Sequence, residues 1–421
     1  MNILIKNVFF KEKITDILIE GNIIKKMGEN IALDVFPDKV IDGTNKAVIA
    51  GLVNCHTHSA MTVFRGWGDD MELESWLSDK IWPYEAKLTD EIVYWGAKLA
   101  CLEMIKSGTT CFNDMYWRID AVAEAVADMG LRATLSSVTL DASNSQSVKT
   151  VVDNVEKSFC NRKNYSALTT FALGPHAIYT VSKKILQWID DFSKANDLLI
   201  HIHAAETQTE CNNSIKSFGM TPIRYLNSIG ILSPRVIIAH GIWVDDEEID
   251  MLAANDVKVV HNPNSNLKLA SGYRFKYHEM KDKGITVGIG TDGCSSSNNL
   301  DMIEAVKIAS LIGKAWRNDP TATTAKEMFK CATVNGGKIL RQNIGKVQEG
   351  CLADLVLVDL NSPAFTPNFN FISNLVYAAN GNDVDTVICN GKVLMENKHV
   401  PGEDEIMKMA SKAAHKLFFE L

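Results

Sequence analysis

Histidine and acidic side chains stand at the ends of several apolar runs in this sequence. His56 and His58 close the first run, and because alternate residues of a β-strand point the same way, both imidazoles can face one ion. His203 closes a later run and Asp292 the last one. Three imidazoles and one carboxylate suit Zn²⁺, or Fe²⁺ in a similar geometry, and a catalytic ion of this kind activates a water molecule.

Such a reaction also needs groups that move protons, and three candidates lie at the same run ends. Glu206 follows His203 by three residues, so it can approach a substrate without binding the ion. His240 can orient the attacking water, and Asp292 can take its proton. Taken singly, each feature has a simpler interpretation. The His-x-His pair can be two polar residues at a strand end, Glu206 an ion-pair partner, and His240 a hydrogen-bonded core histidine.

Apolar, β-branched runs alternate with helical segments through the middle of the chain. This repeated alternation predicts a parallel (β/α)8 barrel of the α/β class. The carboxyl ends of barrel strands meet at one mouth, so residues far apart in sequence are expected to share one pocket. The eight runs cover residues 47–58, 109–115, 132–140, 168–176, 197–206, 235–243, 257–265 and 284–292.

The two ends of the chain resemble each other and differ from the middle. Both carry short β-rich runs, with Asn and Gly turn residues at 20–22 and 389–392 that favour hairpins. Since one end alone has too few strands for a stable sheet pair, we predict a small β-sandwich built from both termini. The predicted units are residues 1–50 and 347–402 for the sandwich, 51–346 for the barrel and 403–421 for a C-terminal helix.

Composition excludes several classes of protein. The chain has 421 residues, 46% apolar and 22% charged, which is ordinary for a globular protein. Its net charge of −8 disfavours a dedicated nucleic-acid binder, and no run approaches the roughly 18 apolar residues of a membrane helix. The nine scattered cysteines form no C-x-x-C pair, which is typical of reduced thiols. We therefore expect a cytoplasmic protein without nucleic-acid or membrane partners.

Six longer stretches of the chain surround these residues. They are NCHTHSAMTVFRGWGDDMELESWL (54–77), GPHAIYT (174–180), IHAAET (202–207), AHGIW (239–243), HNPNSNLKLASG (261–272) and GTDGCSSSNNLDM (290–302). These stretches resemble the amidohydrolase superfamily and, within it, the 5′-methylthioadenosine/S-adenosylhomocysteine deaminases. The resemblance implies one metal ion, because the fourth run ends in Gly-Pro-His176 rather than in a Lys or Glu that bridges two ions. It also implies a homo-oligomer.

The resemblance also assigns roles to individual residues, in a hydrolytic deamination that releases ammonia from C6 of an adenine nucleoside. Trp76 would line the pocket and Glu85 would bind the ribose hydroxyls, although the residues alone would place them in the core and on the surface. By the same resemblance, the metal ligands are His56, His58, His203 and Asp292, Glu206 protonates N1 of the purine, His240 and Asp292 manage the water and its protons, and His176 hydrogen-bonds the base.

Two more histidines flank this set. His201 precedes His203 by two residues and shares its strand face. We interpret it as a supporting or structural residue, because the four residues above already fill the ligand set of a catalytic zinc ion. His261 ends the seventh run and is expected to shape the pocket floor.

The sequence departs from the family at one point. Family members that accept S-adenosylhomocysteine carry an Arg after the third strand, where this chain reads Leu135-Ser136-Ser137-Val138. The following segment offers only Lys149 in place of a second Arg. Without a bidentate guanidinium a substrate carboxylate is held less well. We therefore expect a preference for methylthioadenosine or adenosine, which lack that carboxylate.

Two other functions stay open at this stage. Guanine, 8-oxoguanine, cytosine and s-triazine hydrolases share this metal site, so the ring substrate can differ. Some barrels of this superfamily have lost their ligands and act as scaffolds. A scaffold would be expected to lack at least one of the four ligand residues, and all four are present here.

Overall fold

The computed structural model describes residues 1–33, 36–141 and 147–421. These residues form two eight-stranded sheets. No helix in the described ranges is both long and apolar enough to cross a membrane. The strands are β1 (Asn2–Phe10), β2 (Lys13–Glu20), β3 (Ile23–Gly28), β4 (Lys39–Asp42), β5 (Lys46–Ala50), β6 (Leu52–Thr57), β7 (Thr109–Tyr116), β8 (Arg132–Thr139), β9 (Thr169–Pro175), β10 (Ile200–Ala204), β11 (Val236–His240), β12 (Lys258–His261), β13 (Val287–Ile289), β14 (Leu355–Asp359), β15 (Val384–Cys389) and β16 (Lys392–Met395).

The first sheet joins both ends of the chain, as predicted. Its order is β16-β15-β14-β5-β1-β2-β3, and β4 pairs with β1. The two predicted hairpins are present as the antiparallel pairs β2–β3 and β15–β16. One apolar cluster draws Ile5 and Ile17 from the N-terminal strands together with Leu355 and Ile388 from the C-terminal strands. Each end thus supplies part of a core that neither could close alone.

The second sheet is the predicted barrel. Its strands follow one another in sequence order from β6 to β13, and every pair is parallel. All residues of β7, β10 and β11 are buried, which fits a parallel sheet covered on its outer face by helices and packed within. The domain ranges given above stay a prediction.

Several predicted runs are shorter in the structure than in the sequence pattern. The run 47–58 is two strands, because β5 belongs to the terminal sheet and β6 to the barrel. Gly51 lies between them, and a Cβ there would stand 2.1 Å from Oγ1 of Thr110. The run 257–265 stops at His261, because Pro263 begins a helix.

The barrel closes between its first and last strands through hydrogen bonds. The Asp292 amide donates to the His56 carbonyl at 3.0 Å, and the Asn54 amide group donates to the Thr291 hydroxyl at 2.7 Å. A Cβ at Gly290 would stand 2.8 Å from Cβ of His56. Only glycine permits this approach, which brings His56 and Asp292 together.

Helices surround the barrel, and many begin at a side-chain cap. Thr89, Ser182 and Asp245 each accept a backbone N–H of the first turn. The helices are α1 (Leu73–Trp76), α2 (Trp82–Glu85), α3 (Asp90–Lys106), α4 (Ile119–Met129), α5 (Val148–Asn161), α6 (Lys183–Asn196), α7 (Gln208–Phe218), α8 (Pro222–Ser228), α9 (Asp246–Ala254), α10 (Pro263–Lys268), α11 (Tyr277–Asp282), α12 (Cys294–Ser297), α13 (Met302–Arg317), α14 (Ala325–Lys330), α15 (Gly336–Ile339), α16 (Phe371–Tyr377) and α17 (Glu403–Phe419).

A separate helical segment covers the mouth of the barrel. It consists of α1, a π-helical turn Leu77–Ile81 and α2, which follow one another without a break. The C-terminal helix α17 packs near it: the Phe418 ring lies 4.3 Å from Trp67 and 4.9 Å from Tyr84, centroid to centroid. We call residues 67–85, which comprise these three turns and the stretch just before them, the cover segment.

Candidate active site

The predicted site residues meet at the carboxyl ends of the barrel strands. All of them except His56 line one pocket, and His56 lies fully buried among the other histidines. The ligand nitrogens of His56, His58 and His203 lie within 4.8 Å of one another, and those of His56 and His240 lie within the same distance of an Asp292 oxygen. These residues can therefore hold a metal ion.

Asp292 is the negative charge at the centre of this group. Its Oδ1 atom lies 3.3 Å from Nε2 of His56 and 3.2 Å from Nε2 of His58. Its Oδ2 atom accepts a hydrogen bond from the Ser265 hydroxyl at 2.6 Å. Although burial disfavours an ionised carboxylate, the two imidazoles that face it hold the pKa of Asp292 well below its usual range. The carboxylate is therefore ionised.

The imidazoles around Asp292 are suited to a cation. Burial lowers the pKa of His56 to about 4, and burial together with the neighbouring imidazoles holds the pKa of His203 well below its ordinary value. Both rings are neutral at pH 7, as metal ligands must be. Nε2 of His56 is buried without a hydrogen-bond partner among the described residues. A divalent cation would satisfy this nitrogen and balance the Asp292 charge.

Each of the three histidines is anchored through its other ring nitrogen. Nδ1 of His58 lies 2.6 Å from the Met115 carbonyl, and Nδ1 of His203 lies 2.8 Å from the His176 carbonyl. Nδ1 of His56 lies 2.7 Å from Nε2 of His201. Such anchors fix the orientation of a ligating ring.

Glu206 and His240 face each other beside this cluster. Oε2 of Glu206 lies 3.7 Å from Nε2 of His240, and its Oε1 accepts a 3.4 Å hydrogen bond from the Ser271 hydroxyl. Burial raises the pKa of Glu206. A carboxyl group with a raised pKa can hold a proton near neutral pH and donate it to a substrate.

Left-handed backbone conformations occur at or just after three of the barrel strands that carry the site. Ala205, His240 and Asp292 have φ angles of 54°, 75° and 62°. These left-handed conformations are uncommon for residues other than glycine and cluster at functional sites. Each falls at a strand end, where it turns the chain and redirects the next residues. Nothing in the residue pattern signals them.

Trp76 and Glu85, the two residues that only the family resemblance suggested, lie on the cover segment. The Trp76 side chain is buried, lines the pocket and carries an indole N–H without a partner among the described residues. Burial raises the pKa of Glu85, and the neighbouring Trp117 and Tyr116 side chains oppose that rise. His176 lines the same pocket, with its Nδ1 atom 2.9 Å from the Thr180 hydroxyl.

Sequence reasoning missed several supporting side chains. The Asn266 amide lies 2.9 Å from Nδ1 of His240, and the Glu210 carboxylate accepts the backbone N–H groups of Ala205 and Glu206 at 3.2 and 2.7 Å. Asn266 falls in the stretch HNPNSN, where three asparagines follow a strand. The asparagines indicate a polar strand end, but the sequence does not say which of them contacts His240. Glu210 has the ordinary appearance of a helical surface residue.

Comparison with known proteins finds relatives that are similar over most of the chain. It is 45% identical over 384 residues to a 5′-deoxyadenosine deaminase of Methanospirillum hungatei, which covers 90% of this chain and 85% of the relative. It is 44% identical over 399 residues to 5-methylthioadenosine/S-adenosylhomocysteine deaminase 1 of Archaeoglobus fulgidus, with 94% of each chain covered.

A solved structure and a family model agree with these relatives. The crystal structure of an adenosine deaminase from Xanthomonas campestris with bound zinc has a TM-score of 0.92 to this chain at 30% identity. It covers 99% of this chain and 98% of its own. Residues 47–394 match the model of the amidohydrolase family. The chain therefore belongs to the amidohydrolase family.

Proposed function

We propose that this protein is a metal-dependent deaminase that converts the adenine ring of a nucleoside to hypoxanthine and releases ammonia. The observation that carries the proposal is the meeting of Glu206, His240 and Asp292 with a three-histidine cluster in one pocket. Relatives at about 44–45% identity with deaminase activities support it. The net reaction exchanges the C6 amino group for the oxygen of water.

We assign one metal ion per subunit to His56, His58, His203 and Asp292. The neutral imidazoles of His56 and His203, the ionised carboxylate and the unpartnered Nε2 of His56 support this set. Nitrogen and oxygen donors of this kind suit Zn²⁺ or Fe²⁺, and we favour zinc. The ion, when bound, would lower the pKa of a water molecule towards neutrality.

Three side chains would then move the protons. Glu206, whose pKa is raised by burial, donates a proton to N1 of the purine, which withdraws electron density from C6 and makes it a better electrophile. His240, 3.7 Å from Glu206, orients the attacking water. Asp292 accepts one proton from that water and passes it to the departing amino group, so ammonia leaves as a neutral molecule. The second proton of the water returns to Glu206 as the C6 oxygen becomes a carbonyl.

The cover segment and His176 would bind the substrate. The unpartnered Trp76 indole N–H is a donor for a ring nitrogen or hydroxyl of the nucleoside. The Glu85 carboxylate is an acceptor for ribose hydroxyls, and His176 borders the base. A bound nucleoside would satisfy the Trp76 donor, which lacks a partner among the described residues.

The pocket favours a neutral substituent at the 5′ position. Within residues 1–33, 36–141 and 147–421, no lysine or arginine lines it, whereas Glu85, Glu206 and Asp292 do. Val138 and Leu140 take part in the lining just beyond Ser137, at the position where the family resemblance had led us to look for an arginine. A substrate carboxylate would face like charge and apolar surface. We therefore propose 5′-deoxyadenosine, methylthioadenosine and adenosine as better substrates than S-adenosylhomocysteine.

A substrate panel with two variants tests the proposal. The zinc-loaded protein is assayed for ammonia release from these four nucleosides, guanine and a chloro-triazine. We expect turnover of the neutral nucleosides and a fall in kcat of about 10²–10⁴-fold in Glu206→Gln. Glu124→Gln, an exposed change on α4, serves as the control.

Three other outcomes would each contradict a different part of the proposal. Turnover of guanine or the triazine alone would overturn the nucleoside substrate but keep the metal site. A higher kcat/KM for S-adenosylhomocysteine than for methylthioadenosine would overturn the 5′ preference. A purified protein that never binds stoichiometric metal would revive the scaffold function.

Assembly and location are proposals of the same kind. The homo-oligomer implied by the family resemblance is tested by light scattering of the purified protein. The cytoplasmic location predicted from its cysteines is tested by cell fractionation.

A further inference from the structure

The three histidines of the proposed metal set are not anchored alike. Nδ1 of His58 and Nδ1 of His203 each lie within hydrogen-bond distance of a main-chain carbonyl. A carbonyl oxygen can only accept, so each of these rings carries a proton on Nδ1, and Nε2 is the nitrogen left to bind an ion. The tautomer needed for a metal ligand is thereby imposed by the backbone.

His56 is the exception, because its Nδ1 atom meets another imidazole. Nε2 of His201 lies 2.7 Å away, and both rings are fully buried. An imidazole nitrogen can either accept or donate a hydrogen bond. If His201 donates, His56 carries its proton on Nε2, pointing at Asp292. If His201 accepts, the Nε2 lone pair of His56 points into the metal set.

We propose that His201 is the positioning residue that selects between these two states of His56. By accepting a hydrogen bond from Nδ1 of His56, His201 holds the His56 ring in place and leaves Nε2 of His56 free to bind the ion. The proposal rests on the metal site of the proposed function and adds a residue to it.

The surroundings of His201 explain why the ion and this proton arrangement depend on each other. Nδ1 of His201 is buried with no hydrogen-bond partner among the described residues. When Nε2 accepts from His56, the proton of His201 lies on that unpartnered Nδ1, which is unfavourable in a buried site. Without an ion, His56 can instead donate from Nε2 to Asp292 Oδ1 across 3.3 Å. Binding of the ion therefore has to shift His56 and His201 to the arrangement in which His201 accepts the hydrogen bond.

Metal affinity is the direct measure of this role. We would determine the Kd for Zn²⁺ by competition with a chromophoric chelator, with no substrate present. His201→Leu removes the acceptor and should weaken Zn²⁺ binding about 10–100-fold, the usual range for loss of a group that supports a metal ligand. His201→Gln retains an acceptor oxygen and should recover most of that loss.

His261→Leu is the matched control. His261 is also a buried barrel histidine with an unpartnered Nδ1, but its ring stacks on Phe275 at 4.2 Å instead of meeting a proposed ligand. It should leave the Kd for Zn²⁺ unchanged. Thermal melting of each apo protein separates folding from metal affinity, and His201→Met replaces the leucine variant if that one does not fold.

The outcomes are distinguishable from those of the function assay. A His201→Leu protein that binds Zn²⁺ as tightly as the wild type, or loses no more affinity than the His261 control, would overturn the proposal. So would a glutamine variant no better than leucine. If the wild type binds Zn²⁺ but deaminates nothing, the substrate assignment fails while the role of His201 stands.

Discussion

The strand ends of the barrel and the cover segment contribute to the same pocket but hold their side chains differently. His58, His203 and Asp292 are each fixed by a hydrogen bond with a neighbouring strand, loop or helix. Trp76 and Glu85 lie on short helical turns that rest on aromatic packing with the C-terminal helix. Hydrogen bonds fix a direction as well as a position, whereas apolar packing fixes position alone.

This difference suggests a division of labour between the two regions. Strand-end changes should alter the reaction itself and metal binding, and so appear in kcat. Cover-segment changes should alter how well a substrate is held, and so appear in KM. The predictions below test whether the two regions separate in this way.

The largest effect is expected at Asp292. Asp292→Asn removes the charge that faces His56 and His58 while it keeps the side-chain shape. We expect stoichiometric metal to be lost and kcat to fall by at least about 10²–10⁴-fold, the contribution of one general acid–base group. Metal analysis and steady-state kinetics measure both.

Ser265→Ala is the graded control for that change. It removes the hydrogen bond to Oδ2 and leaves the charge in place, so it should retain metal and lose far less kcat. If Asp292→Asn raised KM and spared kcat, the assignment of chemistry to the strand ends would be wrong.

A moderate effect is expected where the C-terminal helix meets the cover segment. Phe418→Ala removes ring contacts with Phe64, Trp67 and Tyr84. An aromatic pair contributes about 0.5–1.5 kcal/mol, and about 1.4 kcal/mol is a tenfold change. We expect KM for the nucleoside to rise about tenfold, with kcat nearly unchanged.

The adjacent phenylalanine provides the comparison. Phe419 is 72% exposed, and among the described residues its ring contacts only that of His415, in a tilted arrangement, so Phe419→Ala should leave KM as it is. An equal fall in kcat for Phe418→Ala would show that the cover segment also shapes the reacting geometry.

The same contrast governs what the sequence could predict. The barrel, the terminal sheet and the strand-end histidines follow from local patterns, because i, i+2 spacing and apolar runs determine which side chains share a face. The close pairing of His56 with Asp292 depends on Gly290 and on hydrogen bonds across 236 residues of sequence, which no local pattern specifies.

The cover segment lay beyond such reasoning. A buried Trp76 and a partly buried Glu85 on single helical turns have no periodicity to read, and only the family resemblance suggested them. The left-handed φ angles of His240 and Asp292 are likewise set by the surrounding fold. Lys149, the only basic residue that the segment after the third strand offers, is not among the residues that line the pocket, and residues 142–146 lie outside the described structure.

The smallest effect concerns pH. Burial raises the pKa of Glu210 to about 8 from an ordinary value of 4.5, so the folded protein binds this proton more tightly than the unfolded chain does. The resulting stabilisation is complete below about pH 4.5 and is lost as pH rises through about 8. The free energy of unfolding of the wild type minus that of Glu210→Gln should therefore decrease from pH 5 to pH 9, as measured by urea titration.

The cover segment should show no such trend. The contacts of Phe418 are aromatic, so the difference between the wild type and Phe418→Ala should stay constant over the same pH range. A difference for Glu210 that grew with pH would mean that the folded carboxyl is ionised, held by the N–H groups of Ala205 and Glu206. A constant difference for the cover segment and a falling one for Glu210 would separate a region held by a titratable, hydrogen-bonded carboxyl group from a region held by apolar packing.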